Sequence, residues 1–310
     1  MKIALLCDTH CGIRNSSEVF LDNAEDFYTN IFFPECEKRG VKQILHLGDY
    51  YDHRKFVNFK ALNQNRRVFL DQLRKHNMIM DIIPGNHDTY YKNTNELNAL
   101  KECLGHYMNE VHIIMEPTVM QYGSLSMALL PWICADNYEP SMNFIRDCKA
   151  DWLGAHLELA NFEIGRGILA PHGMDAKIFK KFEQVLSGHY HTASRRDNIW
   201  YLGNPMEFFW SDAHDPKFFH ILDTESRQIE KIQNTYTLFE KIVYNDKEMD
   251  YNNYNKNLSK KFVKVVVAEK TDPFTFDRFI DRIQNQDIYE LKIARSEEHT
   301  SELQSPMYLV

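Results

Sequence analysis

The sequence predicts a large α/β or layered α/β/β/α domain, followed by a small β-α-β unit. Two observations lead to this class. Over the first two hundred residues, short apolar runs alternate with stretches in which apolar residues recur at helical spacing. The chain also has 310 residues, of which 44% are hydrophobic, and this suits one large domain with an appendage while excluding disordered and membrane-embedded proteins.

The first elements follow directly from this spacing. Residues 3–6 form the first strand candidate, and Phe20, Ala24, Phe27 and Ile31 then form a helical stripe that Gly40 is placed to end. Residues 41–47 predict the next strand. A second helical region over residues 61–73 leads to a strand at 78–83, which the Pro-Gly pair at 84–85 ends. Further strands are predicted at 111–115, 127–131, 152–155, 184–186, 200–202, 218–222 and 241–244.

The polar segment 245–260 predicts a linker, and the stretches 262–267, 274–283 and 289–293 predict a β-α-β unit too short to fold alone. The predicted domains are therefore residues 1–245 and 246–294. Residues 295–310 lack apolar periodicity, and 295–305 resemble the translation of a sequencing adapter. We expect 295–310 to be a non-native tail and the natural chain to have continued differently after residue 294.

Composition narrows the functional classes. No apolar run is long enough to span a bilayer and no signal peptide precedes the first strand, so a cytoplasmic protein is expected, in the host cell if phage-encoded. Six scattered cysteines without CxxC spacing argue against a disulfide framework and a thiolate zinc site. The net charge of -8 argues, by itself, against a polyanionic partner.

Polar residues that can bind metals follow five of the predicted strands. Each cluster alone has an ordinary explanation as a turn, a capping Asp or a core histidine. The carboxyl ends of strands in an open α/β sheet converge on one crevice, however, so the five clusters can form a single site. They are Asp8-Thr9-His10, Gly48-Asp49, Gly85-Asn86-His87-Asp88, His156 and Gly188-His189-Tyr190-His191.

The chemistry of these clusters indicates a two-metal site. Two Asp carboxylates, one Asn carbonyl and four imidazoles are seven ligands, and one bridging carboxylate would give four contacts to each of two cations. Mixed oxygen and nitrogen ligands without thiolate favour Mn, Fe or Zn over Ca, and over Mg.

These motifs, in this order, resemble the signature of the calcineurin-like metallophosphoesterases. Within that superfamily the chain is similar to the Mre11/SbcD nucleases, and most similar to the recombination nuclease subunits of T4-like phages. Residues 200–205 and 218–223 are similar to the family's segment after the last metal motif, and 264–293 resemble its DNA-capping domain. The resemblance covers residues 1–294 and implies a four-layer α/β/β/α metallophosphoesterase sandwich with a small C-terminal α+β capping domain.

The resemblance also implies a role for each site residue. One divalent ion would be held by Asp8, His10, Asp49 and His191, and the other by Asp49, Asn86, His156 and His189. Mn²⁺ is the expected ion, with Mg²⁺, Fe²⁺ and Zn²⁺ as alternatives. His87 would be catalytic, protonating the leaving oxygen or stabilising the pentacoordinate phosphate, and Asp88 would orient it.

Two basic pairs are candidate nucleic-acid contacts, although solvated surface positions are the ordinary explanation for such residues. They are Arg54 with Lys55 and Arg195 with Arg196. Asp52, three residues after the bridging Asp49, is expected to support its loop.

The function implied is a two-metal exonuclease and endonuclease for double-stranded DNA in recombination, repair or DNA end processing. A homodimer and an SbcC/Rad50-like ATPase subunit are the expected partners. The alternative is a metallophosphoesterase for phosphoproteins or small phosphodiesters, and a third is a non-catalytic scaffold. Phosphoprotein phosphatases of this superfamily carry Gly-Asp-x-x-Asp-Arg-Gly and Gly-Asn-His-Glu, whereas this chain has Asp52-His53-Arg54 and Asn86-His87-Asp88, which favours the nuclease.

Overall fold

The computed structural model describes residues 1–165 and 167–295 and divides into two compact units. The larger consists of Met1–Phe208 and Pro216–Tyr236, and the smaller of Phe209–Asp215 and the described residues from Thr237 onward. The division falls before the predicted boundary at residue 245, because a strand at Phe239–Asn245 pairs within the smaller unit. Most of the predicted tail, residues 296–310, lies outside the described residues.

The strands in chain order are β1 (Lys2–Leu6), β2 (Gln43–His46), β3 (Ile79–Ile82), β4 (Val111–Ile113), β5 (Thr118–Tyr122), β6 (Leu125–Leu130), β7 (Trp152–His156), β8 (Glu163–Gly165), β9 (Ile168–Leu169), β10 (Gln184–Gly188), β11 (Ser194–Arg196), β12 (Ile199–Tyr201), β13 (Lys217–Asp223), β14 (Gln228–Asn234), β15 (Phe239–Asn245), β16 (Phe262–Glu269) and β17 (Glu290–Arg295).

The helices are α1 (Ile13–Ser16), α2 (Glu18–Phe27), α3 (Phe33–Lys38), α4 (Phe59–Asn65), α5 (Asp71–Lys75), α6 (Ala99–Leu104), α7 (Tyr138–Asp147) and α8 (Pro273–Gln284). Short π-helical segments, Tyr28–Phe32 and Arg66–Leu70, join α2 to α3 and α4 to α5. Among the described residues, no helix is both long and apolar enough to cross a membrane.

Two six-stranded sheets form the centre of the larger unit. The first sheet has the order β14-β13-β1-β2-β3-β4, and the second has the order β11-β12-β10-β7-β6-β5. Strands β1 to β4 run parallel, as do β12, β10, β7 and β6. Parallel strands place their carboxyl ends at one edge, so each sheet presents one edge that can collect side chains from several loops.

The core shows four layers. Ile3 and Leu45 of the first sheet pack against Met127 and Leu186 of the second. On the outer face of the first sheet, the rings of Phe27 and Phe32 lie against Phe219 of β13. On the outer face of the second sheet, Ile145 of α7 and Phe179 pack with Leu153 and Val185. The predicted α/β/β/α architecture is confirmed.

The smaller unit is built around the parallel sheet β15-β16-β17. Helix α8 begins at Pro273, where the Asp272 side chain accepts a hydrogen bond from the Phe274 amide at 3.0 Å. The helix buries Phe279 and Ile283 against Val265 of the sheet. The predicted β-α-β unit is therefore β16-α8-β17, with β15 added.

Several elements lacked a sequence signal. Strand β14, with only Ile229 and Ile232 apolar among seven residues, is a polar edge strand whose pairing with β13 supplies its order. Helix α7 contains Pro140 near its start, where proline is tolerated. Contacts with the rest of the fold, rather than the local sequence pattern, determine both elements.

Candidate metal centre

The loops after the parallel strands bring the predicted ligands to one edge of the two sheets. Asp8 follows β1, Asp49 follows β2 and Asn86 follows β3. From the second sheet, His156 is the last residue of β7, and His189 follows β10 directly. Asp8 and His156 are 0% exposed, Asp49 and Asn86 are also buried, and His189 is half-buried. Buried polar groups of this density require partners, which identifies the edge as a candidate site.

The backbone is unusual at several of these residues. Asp8, His10 and Asp49 have φ of 51°, 43° and 53°, and His189 has φ of 95°. Non-glycine residues rarely adopt this left-handed region, and such conformations cluster at functional sites because the surrounding structure must enforce them.

Two positions must be glycine because the side chain of a metal-ligand candidate lies against the main chain there. A Cβ on Gly85 would lie 2.2 Å from Asp49 Oδ1, and a Cβ on Gly48, whose φ is +87°, would lie 2.6 Å from His156 Nδ1. The glycines of the two motifs therefore let the carboxylate and the imidazole sit against the main chain.

Three groups of side chains could each hold a cation. The first is Asp8, His10 and His191, the second is Asp49, His156 and His189, and the third is His10, Asp52 and His87, with the donor atoms of each group within 4.8 Å of one another. The third shares His10 with the first, so the first two are groups with no residue in common. In the first group, His10 Nε2 lies 3.0 Å from His191 Nε2.

The Asp49 carboxylate lies between the two groups. Its Oδ2 is 3.3 Å from His156 Nε2 and 3.8 Å from His10 Nε2. The Asn86 side-chain oxygen completes the second group, at 3.0 Å from His156 Nε2 and 2.9 Å from His189 Nδ1. The Asp49 carboxylate therefore lies close to an imidazole from each of these groups.

Burial and charge determine the protonation of the site. Burial opposes ionisation of Asp49, but the neighbouring imidazoles, His156 above all, hold the pKa of its carboxyl well below the usual range. Burial lowers the pKa of His156, yet the Asp49 charge and hydrogen bond raise it to about 9. Burial and the nearby His156 lower the pKa of His189 to about 3. His189 is thus a neutral imidazole, the form that binds metals.

In two of the histidines, an oxygen atom of the protein contacts the ring nitrogen that is not in the ligand group and so orients the imidazole. His156 Nδ1 lies 2.8 Å from the carbonyl oxygen of Leu47, which leaves Nε2 for a ligand role. His10 Nδ1 lies 3.3 Å from Asp52 Oδ1, so a carboxylate supports the ring in the manner common for metal-binding histidines. Asp52 therefore does more than support its loop.

His87 and Asp88 occupy different environments. The His87 ring approaches the main-chain carbonyl of Asp52, with Nδ1 2.6 Å from that oxygen, and its amide donates to Asp49 Oδ1 at 2.7 Å. The Asp88 carboxylate instead accepts hydrogen bonds from the amides of Tyr51 and Gly85, both at 2.9 Å. The expectation that Asp88 orients the His87 ring is corrected: these backbone amides occupy its oxygens, and the Asp52 carbonyl orients the ring.

The donor set fits divalent metal ions. Carboxylate, amide and imidazole atoms converge, with the Asn86 side-chain oxygen 2.9 Å from His189 Nδ1 and the donor atoms of each group within 4.8 Å of one another. A bound cation would satisfy such donors and would offset the negative charge of Asp8 and Asp49.

The four basic candidates differ in position. Arg54 is half-buried, and its Nε and Nη1 have no hydrogen-bond partner among the described residues. Burial lowers the pKa of Arg54, while the charge of Asp49 acts in the opposite direction. Lys55 is exposed. Arg195 donates to the Gln184 side chain and Arg196 to the Asn161 carbonyl, at 3.0 and 2.9 Å.

Two aromatic residues lie beside the candidate ligands and were not predicted from the sequence. The Trp132 ring lies 5.4 Å from the His189 ring and 5.8 Å from the His156 ring, between centroids. The Phe208 ring lies 5.7 Å from that of His10. Trp132 comes two residues after β6, at the position where candidate metal ligands follow other strands. Because an indole is not a metal ligand, the sequence did not indicate Trp132 as a site residue.

Comparisons with known proteins identify sequences and a structure to which this chain is similar. Residues 1–193 match the family model of the calcineurin-like phosphoesterases. The chain is 32% identical over 270 residues to exonuclease subunit 1 of Enterobacteria phage T4, covering 87% of this chain and 77% of that protein. A solved archaeal phosphodiesterase aligns with a TM-score of 0.39 and 16% identity, over 76% of this chain and all of that one.

Proposed function

Because the chain belongs to the calcineurin-like phosphoesterase family, we propose that it is a two-metal DNA nuclease. The observation that carries the proposal is the position of Asp49 between the two ligand groups, 3.3 Å from His156 and 3.8 Å from His10. Two such cations, when bound, supply an activated water and neutralise a phosphodiester during in-line displacement. We propose Mn²⁺ as the ion.

The ligand roles follow the same division. Asp8, His10, Asp49 and His191 would hold one ion, and Asp49, Asn86, His156 and His189 the other. In the neutral ring, a His87 Nδ1 that donates to the Asp52 carbonyl leaves Nε2 unprotonated. In the doubly protonated ring, Nε2 can donate a proton to the leaving oxygen.

DNA is the proposed substrate for two reasons. The phage T4 relative is named an exonuclease subunit, and the Arg54 guanidinium, half-buried near Asp49, offers a cation where a substrate phosphate would sit. Asp88 is proposed to hold the catalytic loop through the backbone amides that it accepts. Since the relative is named a subunit, we also propose an SbcC/Rad50-like ATPase partner, a homodimer, and a DNA-capping role for the smaller unit.

The test is a parallel assay of the purified chain with Mn²⁺. Linear duplex DNA, a phosphopeptide and a cyclic nucleotide are offered at equal concentration, with the Asp49→Asn variant as control. Cleavage of DNA that is absent in the variant is the expected result. Phosphopeptide turnover without DNA cleavage would overturn the proposal in favour of a phosphoprotein phosphatase.

A further inference from the structure

A cavity of about 320 Å³ opens beside the second group of metal ligands. This volume lies at the lower end of the range for small-ligand pockets, about 300 to 1,000 Å³. Its wall includes the ligand His156, so whatever occupies the cavity lies next to the metal centre. The other lining residues are mostly apolar or aromatic and include Trp132, Tyr138, Leu157 and Met174, together with one carboxylate, Glu158.

The main chain of Trp132 is fixed where this residue forms part of the wall. Its main-chain carbonyl accepts hydrogen bonds from the side-chain amides of Asn95 and Asn137, at 2.7 and 2.9 Å. The ring is half-buried, and Tyr138 on the same cavity is 48% exposed. Rigid, accessible aromatic faces are the surfaces on which unpaired nucleobases stack.

A second cavity, of about 430 Å³, continues from the first. The two share Gly173 and Met174 as lining residues. Lys177, Lys180 and Arg196 line the second cavity, together with two carboxylates, Asp175 and Asp197. The Asp175 carboxylate is already engaged, because it caps the Lys177 amide at 2.9 Å. That carboxylate also lies 3.6 Å from Lys177 Nζ. The path therefore leads from the metal ligands, past aromatic side chains, to a surface of mixed charge on which Lys180 and Arg196 are the other cations.

We propose that the first cavity binds an unpaired nucleobase adjacent to the scissile phosphate, and that the second binds phosphates farther along the same strand. A base inside a duplex is stacked on both faces and paired at its edge, so it reaches an aromatic side chain only after leaving the duplex. The proposal rests on the proposed nuclease function. The added claim is that, when the chain cuts a strand, the base next to the cleaved bond is unpaired.

The test combines a protein change with a substrate change. Trp132→Ala is compared with the unchanged protein on two single-stranded oligonucleotides, one intact and one with an abasic nucleotide beside the cleaved bond. Because stacking on one aromatic side chain contributes roughly 1–3 kcal/mol per base, Trp132→Ala should lower kcat/KM on the intact strand about 5- to 150-fold. On the abasic strand, the variant and the unchanged protein should differ by less than about twofold.

A second Trp132 variant separates stacking from structural damage, and a lysine double variant tests the second cavity. Trp132→Phe keeps an aromatic face and should recover most of the lost kcat/KM, and the metal content of both variants is measured because Trp132 borders two metal ligands. Lys177→Ala with Lys180→Ala should weaken binding of intact and abasic strands equally and reduce its salt dependence. Lys75→Ala with Lys101→Ala, at exposed positions lining neither cavity, is the matched control.

The outcomes distinguish the two proposals. If the unchanged protein cleaves no DNA, the nuclease function itself fails. If it cleaves DNA but Trp132→Ala slows cleavage of intact and abasic strands by the same factor, or has no effect on either, then the cavity does not bind a base and the present inference is overturned.

Discussion

The two sheets of the larger unit contribute chemically different halves of the metal centre. The first sheet supplies the oxygen donors, Asp8, Asp49 and Asn86, together with His10. The second sheet supplies only imidazoles to the two ligand groups, from His156, His189 and His191. The negative charge that attracts a cation therefore comes from one sheet, while the other provides nitrogen donors.

Backbone conformation and protonation do not follow the same division. Asp8, His10 and Asp49 of the first sheet and His189 of the second all have positive φ, whereas His156, whose pKa is raised to about 9, ends a regular strand. Burial lowers the pKa of His189 to about 3, so this donor stays neutral at ordinary pH. The carboxylate assigned to both ions, Asp49, belongs to the first sheet, so its loss should affect both ions, whereas the loss of one imidazole from the second sheet should affect one.

The largest expected effect is that of Asp49→Asn. Both ions should be lost, and activity should fall by roughly 10⁴-fold or more, because activation of water and neutralisation of the phosphate disappear together. Metal content by elemental analysis and hydrolysis of DNA provide the measurements. His156→Ala, from the second sheet, should remove about one ion and retain the other. Equal metal loss in the two variants would contradict the division between the sheets.

His87→Asn tests a residue of the first sheet that is not assigned as a ligand. Both ions should remain, and kcat should fall about 10² to 10⁴-fold, the usual contribution of a positioned acid or base. Metal content and single-turnover cleavage are measured on the same preparation. Unchanged kcat would remove His87 from the mechanism, and loss of metal would make it a ligand.

Asp52→Asn tests how each sheet orients its imidazole. Asp52 supports His10 by a carboxylate contact at 3.3 Å, whereas the Leu47 carbonyl supports His156 at 2.8 Å. The substitution should therefore weaken the ion held with His10 by about 10 to 100-fold. Titration of the metal-free protein should then show one weakened and one unchanged site. Equal weakening of both sites would mean that Asp52 acts through the loop as a whole.

The sequence was sufficient for part of this centre. Asp8, Asp49, Asn86 and His156 could be predicted because each follows or ends an apolar run, and parallel strands bring such positions together. The support of His10 by Asp52 could not be predicted, since it depends on contact between two loops 42 residues apart. Trp132 was missed for a similar reason: its importance comes from neighbours in the fold.

The smallest effect concerns the apolar region between the sheets. His220 of β13 is 1% exposed, and its ring lies 5.2 Å from that of Trp200 on β12. Burial, with a further contribution from the Lys231 charge, lowers the pKa of His220 to about 3. Below the ordinary histidine pKa of about 6.5, the unfolded chain binds a proton that the folded chain does not. Stability from this residue is thus complete above pH 6.5 and is lost as pH falls toward 3.

His220→Phe keeps an aromatic ring at this position and removes the titrating group. Between pH 7.5 and 5, the free energy of unfolding should fall by about 2 kcal/mol less in the variant than in the unchanged protein, since 1.5 pH units correspond to that amount. Urea unfolding of metal-free protein at both pH values measures the difference. Parallel losses would show that His220 takes up its proton in the folded chain at the same pH as in the unfolded chain, so that this region between the sheets tolerates a charged imidazole.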